Sequence, residues 1–218
     1  MTAAVETMAY RFADSEDTPW HGLGTSISRN EEISSHEFQQ RAGANWPVLK
    51  HALYYRSMDG KERTSTRFAL VRGDTGQELS VVSKQYQPIQ NVVVFEFFEQ
   101  YCKSGDMQLE TGGVLEEGRT IWALASIRKG FKIQGVDDVG GFLLFYNTHD
   151  VKGGGVKFTA IRVVCRNPLA MALNCGGAAF SINHRTKFDP ETAKIKVFDV
   201  KSVVEDLPED MLPEGEMD

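Results

Sequence analysis

The stretch MQLETGGVLEEGRTIWALASI, residues 107–127, indicates most directly what kind of fold this chain adopts. Two runs rich in apolar and β-branched residues, Met107 to Leu115 and Arg119 to Ile127, flank the polar segment Glu116-Glu117-Gly118. Two such runs on either side of a short glycine-containing segment are typical of an antiparallel strand pair. The framework of the fold is therefore predicted to be antiparallel β-structure.

Three further strands are predicted N-terminal to this pair, at residues 46–55, 64–72 and 79–83. Asp59-Gly60 and Gly73-Asp74-Thr75-Gly76 stand between them and supply the residues that tight turns require. Strands joined by tight turns pair with their neighbours in the sequence. These three are therefore predicted to form an antiparallel meander.

Helices are predicted in three places. Residues Val92 to Lys103 form one long helix whose apolar positions cover most of its circumference, as in a buried helix, and Ser104-Gly105 ends it. Ser34 and Ser35 cap a short helix that reaches about Ala42. Asn167-Pro168 opens another short helix over residues 169–173.

The C-terminal side adds predicted strands at residues 142–147 and 156–165, and residues 179–186 form either a strand or the start of a longer helix. The predicted fold class is α+β, with an antiparallel meander of about seven or eight strands, one long buried helix and one or two short helices. Residues 1–30 are predicted to be an N-terminal arm with a Trp-His-Gly-Leu-Gly loop, residues 31–200 a single core domain, and residues 201–218 an acidic disordered tail.

Charge is distributed unevenly along the chain, although its net value is only −6. Residues 119–196 contain twelve Lys or Arg and five Asp or Glu, whereas the last fourteen residues, 205–218, contain seven acids and no base. A basic segment followed by an acidic end indicates a polyanionic partner. The same basic segment is equally compatible with a solvated face that complements the acidic N-terminal half.

The basic segment supplies the candidate nucleic-acid contacts. If its cations project from one face of a sheet, they form a row that can bind successive phosphates, and an aromatic ring beside them can stack on a base. The candidate phosphate-binding residues are Arg128, Lys129, Lys132, Lys152, Lys157, Arg162, Arg166, Arg185 and Lys187, and the candidate stacking residues are Phe131 and Tyr146.

Several kinds of site are missing from the sequence. It contains no GxxxxGK[ST] phosphate-binding loop and no GxGxxG between a strand and a helix, so we expect no cofactor and no side-chain catalytic centre. Five histidines are scattered singly and three cysteines lack CxxC spacing, which argues against a metal site or a disulfide framework. The glycines at 112–113 and 153–155 are interpreted as turn residues.

The sequence also bears on where the protein acts. It contains neither a run of about eighteen apolar residues nor a secretory signal. We therefore expect a cytoplasmic protein of a bacterial host, with reduced thiols and no membrane contact.

Two separated motifs resemble a known family. Trp20-His21-Gly22-Leu23-Gly24-Thr25 is similar to a WHGLGT signature, and residues 143–150, 158–159 and 162–169 are similar to a later segment that contains SHDG and RVVCNNTL. The family consists of phage- and plasmid-like proteins with the domain of unknown function 932, and the likeness covers about residues 9–190. Pro168 stands where the family has Thr, and Val151 stands where it has Gly.

The resemblance implies a phage or plasmid setting. The predicted order of elements is also similar to single-strand annealing proteins of the Redβ, RecT and Erf type, which need no ATP and hold single-stranded DNA in a basic groove. This likeness implies a homo-oligomer, a ring or filament, that binds single-stranded nucleic acid, with DNA favoured, and anneals strands in homologous recombination. The acidic tail would then contact a host replication protein by charge.

Two other classes of function stay open. A phage-type protein-binding module would use acidic surfaces to mimic nucleic acid and so inhibit a host nucleic-acid enzyme. A hydrolase would use His149, Asp150 or Cys165, because a thiolate activated by a histidine is a strong nucleophile.

Overall fold

Two β-sheets form the framework of the chain. The structure is a computed structural model that describes residues 5–12, 19, 21–127, 141–150, 152–159, 161–175 and 177–194. The strands are β1 (Val5–Phe12), β2 (Thr25–Ser28), β3 (Val48–Arg56), β4 (Glu62–Arg72), β5 (Glu78–Ser83), β6 (Met107–Leu115), β7 (Thr120–Ile127), β8 (Phe142–Thr148), β9 (Gly154–Thr159) and β10 (Gly177–Ile182). The helices are α1 (Ser35–Arg41), α2 (Asn91–Glu96), α3 (Glu99–Lys103) and α4 (Arg166–Cys175), and Glu116–Gly118 forms a single 3₁₀ turn.

The larger sheet has seven strands in the order β10-β9-β8-β7-β6-β1-β2. From β10 to β1 every neighbouring pair is antiparallel, whereas β1 and β2 run parallel. The α+β class with a mostly antiparallel sheet system is confirmed. The strands do not form one meander, because they divide between two sheets.

The smaller sheet has three strands in the order β3-β4-β5, both pairs antiparallel. This is the predicted meander, and its turns lie at the predicted glycines, with Gly60 and Gly76 at positive φ. Pairing between β4 and β5 begins at Arg67 and Ser83. Residues 53–66 therefore extend beyond the third strand as a two-stranded ribbon, which we call the hairpin arm.

The N-terminal segment contributes directly to the larger sheet. Strand β1 lies between β6 and β2, with Ala9 opposite both Gly112 and Thr25. Residues 5–12 and 25–28, which the sequence analysis assigns to an N-terminal arm, are thus strands of this sheet. Pairing between β1 and β6 also places residues far apart in sequence side by side.

The predicted long helix is interrupted, so the prediction of one continuous helix over residues 92–103 is wrong. Helix α2 ends at Glu96, and the amide of Phe98 donates to the carbonyl of Phe95 at 3.1 Å, three residues back instead of four. Phe97 and Phe98 are both buried and pack edge-to-face with ring centroids 5.2 Å apart. The interruption between the two helices therefore lies within the core.

The two faces of the larger sheet are both covered. On one face, the rings of Phe38, Phe95, Phe97 and Phe98 pack in a large cluster that also includes the inner face of the smaller sheet. On the other face, α4 covers a smaller cluster of apolar side chains, Met8, Tyr10, Leu115, Trp122, Leu124, Leu144, Val163, Leu169 and Ala172.

The glycines at 112 and 113 lie inside β6 and not in a turn, so the turn interpretation is wrong for them. A Cβ at Gly112 would lie 2.9 Å from the Phe95 ring, and one at Gly113 would lie 2.5 Å from the Trp122 ring. The two glycines thus let aromatic rings approach the strand from opposite faces. In the other group, Gly153 has a positive φ, but Gly154 and Gly155 belong to β9.

The predicted strand over residues 156–165 is too long. Strand β9 ends at Thr159, whose hydroxyl accepts the amide hydrogen of Ile161 at 3.0 Å and so stabilises a bend. The Thr111 hydroxyl then donates to the carbonyl of Val163 at 2.5 Å, which holds the departing chain against the sheet. Helix α4 begins earlier than predicted, at Arg166, and residues 177–182 form a strand, one of the two predicted alternatives.

Candidate nucleic-acid interface

An open cleft of about 500 Å³ lies beside the base of the hairpin arm. Four separate segments form it: the start of the β4–β5 pairing, the chain after β5, the β8–β9 turn and the chain after β10. Its lining residues are Arg67, Ser83, Tyr86, Lys152, Gly153, Ile182, Asn183, His184 and Arg185.

Among the residues that the structure describes, three exposed cations line this cleft, Arg67, Lys152 and Arg185. The ammonium of Lys152 lies 3.7 Å from a carboxylate oxygen of Asp150. Within the described residues, no ion pair joins Arg67 or Arg185 to a carboxylate. Two guanidinium groups are thus available to an anion in the cleft.

The floor of the cleft is a stacked ring pair, Tyr86 and His184, with centroids 4.5 Å apart. The Tyr86 hydroxyl donates to the carbonyl of Asp150 at 3.3 Å, and His184 Nδ1 donates to the carbonyl of Gln87 at 3.2 Å. Burial raises the pKa of Tyr86 and lowers the pKa of His184, so both side chains stay neutral near pH 7. The positive potential of the cleft therefore comes from its rim.

Lys50 joins the smaller sheet to one wall of the cleft. The Lys50 ammonium donates to the carbonyls of Lys84 and Tyr86, at 2.7 and 2.9 Å, and lies 4.9 Å from the centre of the Phe68 ring. Burial lowers the pKa of Lys50. This side chain ties β3 to the chain after β5 and thereby fixes the wall that carries Ser83 and Tyr86.

The sequence-predicted phosphate contacts do not all come together. Lys152 and Arg185 line the cleft, and Lys187 is exposed two residues beyond Arg185. Four predicted residues, Arg128, Lys129, Phe131 and Lys132, lie outside the residues that the structure describes.

The remaining three predicted cations lie near α4, and each contacts an oxygen of the chain itself. The Lys157 ammonium donates to the carbonyl of Leu173 near the end of α4, and the Arg162 guanidinium donates to the carbonyl of Arg11. Arg166 forms an ion pair with Glu116 at 3.2 Å. The described cations therefore divide between two places instead of forming one row.

The predicted stacking residue Tyr146 is half-buried on the α4 face of the sheet. Its ring lies over Gly155, where an added Cβ would be 3.3 Å from the ring. Burial raises the pKa of Tyr146. More exposed tyrosines lie in the hairpin arm.

Residues 78–211 match a protein family described as Domain of unknown function (DUF932), which is more than half of the chain. The chain belongs to the DUF932 family. No curated protein and no solved structure gave a significant match to the chain.

The DUF932 match includes most of the cleft. Ser83, Tyr86 and the segments around Lys152 and Arg185 lie inside the matched residues, whereas Arg67 and the hairpin arm precede them. The family assignment itself names no activity, so function has to be argued from the side chains of the site.

A second polar site within the DUF932 match is closed to solvent. His149 is 0% exposed, its Nε2 atom lies 2.8 Å from the amide oxygen of Asn91, and its Nδ1 atom lies 3.4 Å from the amide nitrogen of Asn147. The Asn91 amide nitrogen donates to the carbonyl of Trp46 at 3.1 Å, which sets the amide orientation and makes His149 Nε2 the protonated nitrogen. Burial lowers the pKa of His149 to about 3.

This network has the properties of a structural site. Both ring nitrogens of His149 are already hydrogen-bonded, and Cys165 is buried. Within the described part of the chain, no three metal-binding side chains come close enough to share an ion. No helix among the described residues is long and apolar enough to cross a bilayer.

Sequence reasoning missed Arg67, Ser83 and Tyr86 because they lie in the acidic N-terminal half of the chain. A count of charges along the sequence gives that half of the chain a net negative charge. Such a count cannot single out one arginine that lies where the pairing of β4 with β5 begins. The only signal in the sequence is the run of polar residues around Arg67, and Arg63 belongs to the same run.

Proposed function

We propose that this protein binds single-stranded nucleic acid, DNA in preference to RNA, and that the cleft at Arg67, Lys152 and Arg185 holds the phosphates. The observation that carries the proposal is the position of Arg67 and Arg185 on the rim of one open cleft, without a carboxylate partner among the described residues. Guanidinium groups bind phosphate through two parallel hydrogen bonds. Lys152, in the turn between β8 and β9, adds a third positive charge to the cleft.

The shape of the cleft supports a single strand more than a folded protein surface. It is open, it has polar groups from Ser83 and Asn183 between the cations, and its floor is a neutral ring pair. In grooves that bind single strands, cations follow the sugar-phosphate backbone, and here the buried pair of Tyr86 and His184 supports the surface beneath them. The net charge of −6 means that binding has to rely on this local potential.

Strand annealing follows from such binding without a catalytic group. Neutralising the phosphates of two strands removes the repulsion that slows their pairing. The edge strands β2 and β10 of the larger sheet, and β3 and β5 of the smaller sheet, offer backbone groups through which copies of the chain can associate. We propose a homo-oligomer, a ring or filament, that acts in phage or plasmid recombination without ATP.

The test is a titration of a labelled single-stranded oligonucleotide at several salt concentrations. Each phosphate contact contributes about −0.7 to the slope of log K against log salt concentration for a single strand. The double substitution Arg67→Ala/Arg185→Ala is therefore expected to weaken binding and to make the slope less negative by about 1.4. Arg119→Ala, which removes one exposed arginine outside the cleft, is the control, and the single variants Arg67→Ala and Arg185→Ala are its charge-matched counterparts.

Two outcomes would contradict the proposal. One is a wild-type protein that binds no single strand at low salt. The other is a cleft variant whose affinity and salt slope equal those of Arg119→Ala.

A second candidate function is a protein-binding module that inhibits a host nucleic-acid enzyme. The observation that favours it is the outer face of the smaller sheet, where Leu49 and Val81 are large apolar side chains exposed to solvent. Such exposure is typical of protein contacts when the side chains are contiguous. Absence of nucleic-acid binding at low salt would favour this function over the first.

A further inference from the structure

The hairpin arm, residues 53–66, projects from the smaller sheet, and no strand of the part of the chain that the structure describes pairs with its β4 side. Pairing of β4 with β5 starts only at Arg67, and no residue of the arm is buried. The base of the arm is therefore Arg67, which is also a cation of the cleft. A strand held in the cleft can continue directly along this ribbon.

The tip of the arm is ordered by its own hydrogen bonds. Ser57 and Lys61 are joined by a backbone bond of 2.9 Å, and the Ser57 hydroxyl contacts the carboxylate of Asp59. Arg63 donates to Ser57 Oγ and to Asp59 Oδ2, each at 3.1 Å. An exposed ribbon that is fixed in this way loses little conformational entropy when it binds a ligand.

Two adjacent tyrosines stand on this ordered ribbon. Tyr54 is 60% exposed and Tyr55 is 54% exposed. Neighbouring residues of a strand point to opposite faces, so each face of the arm carries one aromatic ring. Arg63 lies directly opposite Tyr55, and Arg56 and Lys61 follow at the tip.

We propose that the hairpin arm is a base-binding element, in which Tyr54 or Tyr55 stacks on a base of the strand whose phosphates lie in the cleft. The assignment rests on the proposed function and adds to it the groups that hold the bases. Rings exposed beside arginines and a lysine suit an unpaired nucleotide, since the ring faces stack on the base and the cations bind its phosphates. The shared residue Arg67 makes the arm and the cleft one continuous surface.

The test compares two ligands of equal length, a single-stranded oligonucleotide and the same sugar-phosphate chain without bases. The variant Tyr54→Ala/Tyr55→Ala is expected to lose at least about fivefold in affinity for the first ligand and nothing for the second. Tyr54→Phe/Tyr55→Phe is expected to keep its affinity, because stacking does not need the hydroxyl. The control Leu49→Ala removes an exposed apolar side chain outside the arm and is expected to have no effect.

Because the tyrosines point to opposite faces, the single variants show which face the strand follows. A loss in only one of them, or in both, supports the proposal. The proposal is overturned if the double alanine variant binds the oligonucleotide as tightly as wild type, including the case in which it changes only self-association, since the arm would then be an interface between copies.

Failure of this inference is distinguishable from failure of the proposed function. If Arg67→Ala/Arg185→Ala weakens binding and the tyrosine variants do not, the cleft stands and the base-binding role is wrong. If wild type binds neither ligand, the proposed function itself is wrong, and with it the role of the arm. Thermal melting of each variant checks that the fold is intact.

Discussion

His149 is a buried side chain that makes the stability of the fold depend on pH. It has no exposed surface, its imidazole is held neutral between Asn91 and Asn147, and burial lowers its pKa to about 3. The imidazole of an unfolded chain has its ordinary pKa of about 6.5. The unfolded state therefore binds a proton that the folded state does not accept.

The free energy of unfolding is expected to fall as the pH is lowered below about 6.5, by up to about 1.4 kcal/mol per pH unit for this histidine. The sign follows from the lowered pKa: the stabilisation is complete above 6.5 and is lost as pH falls toward 3. His184, whose pKa is also lowered by burial, adds to the same trend. Urea unfolding at several pH values between 6.5 and 5 measures this decrease in the free energy of unfolding.

His149→Gln provides the matched variant, because glutamine can donate to Asn91 but does not titrate. Its unfolding free energy should depend less steeply on pH over this window, even if it is lower at pH 7. An identical pH slope in wild type and variant would contradict the role assigned to His149.

At this scale the sequence identifies which residues carry charge but not which charges are free. Lys157, Arg162 and Arg166 resemble Lys152 and Arg185 in every property that a sequence shows. In the fold, the first three bind oxygens of the chain itself, whereas Arg185 points into the cleft. The difference arises from contacts between residues distant in sequence, such as Arg162 with Arg11.

Strand β6 shows that a secondary-structure element, too, can be predicted only in part from its own sequence. Its position and length are predicted correctly, because apolar and β-branched residues fill it and a turn follows. The reason for its two central glycines is visible only when α2 and β7 are in place, since the Phe95 ring and the Trp122 ring approach them from opposite faces. Local sequence carries no information about these neighbours.

Gly113→Ala is expected to lower the free energy of unfolding by about 2–4 kcal/mol, as overpacking in a core does. The added Cβ would lie 2.5 Å from the backbone oxygen of Thr7 and 2.5 Å from the Trp122 ring, and a backbone oxygen cannot move aside cheaply. Chemical denaturation measures the change. Thr64→Ala on the exposed arm, expected to change stability by less than about 0.5 kcal/mol, is the control.

The interrupted helix and the shortened β9 have a similar origin. Apolar periodicity predicts a helix over residues 92–103 and a strand over residues 156–165, but tertiary contacts decide where each one ends. In the first case the amide of Phe98 donates to the carbonyl of Phe95, three residues back, at a point where the rings of Phe97 and Phe98 are both buried. In the second case a hydrogen bond from the Thr111 hydroxyl to the carbonyl of Val163 holds the chain against the sheet after β9 has ended.

For the molecule as a whole, the distribution of charge matters more than its sum. The cleft collects three cations from residues 67, 152 and 185, while the last fourteen residues contain seven carboxylates and no base. Opposite charges in one molecule compete with an external polyanion. The sequence shows this charge distribution only in part. It indicates the importance of the cations after residue 118, but Arg67 lies in the acidic half of the chain and does not stand out there.

Removing residues 205–218 is expected to tighten binding of single-stranded DNA several-fold at low salt, because an internal competitor for the cations is lost. The gain should shrink as salt rises, since screening weakens the competition. A variant with the seven acids changed to their amides should behave like the truncated chain. Equal affinities of full-length and truncated protein would show that these carboxylates do not compete for the site.

The position of β1 has a consequence for how the protein is made. This strand is made about a hundred residues before its antiparallel partner β6, so it waits roughly 5–20 s for that partner at typical elongation rates. During that interval Met8 and Tyr10, which end up inside a cluster, have no sheet to join. Closing so long a loop is slow. We therefore expect the first strand to join the larger sheet only after β6 has been made, and Met8 and Tyr10 to stay outside a core in the nascent chain until then.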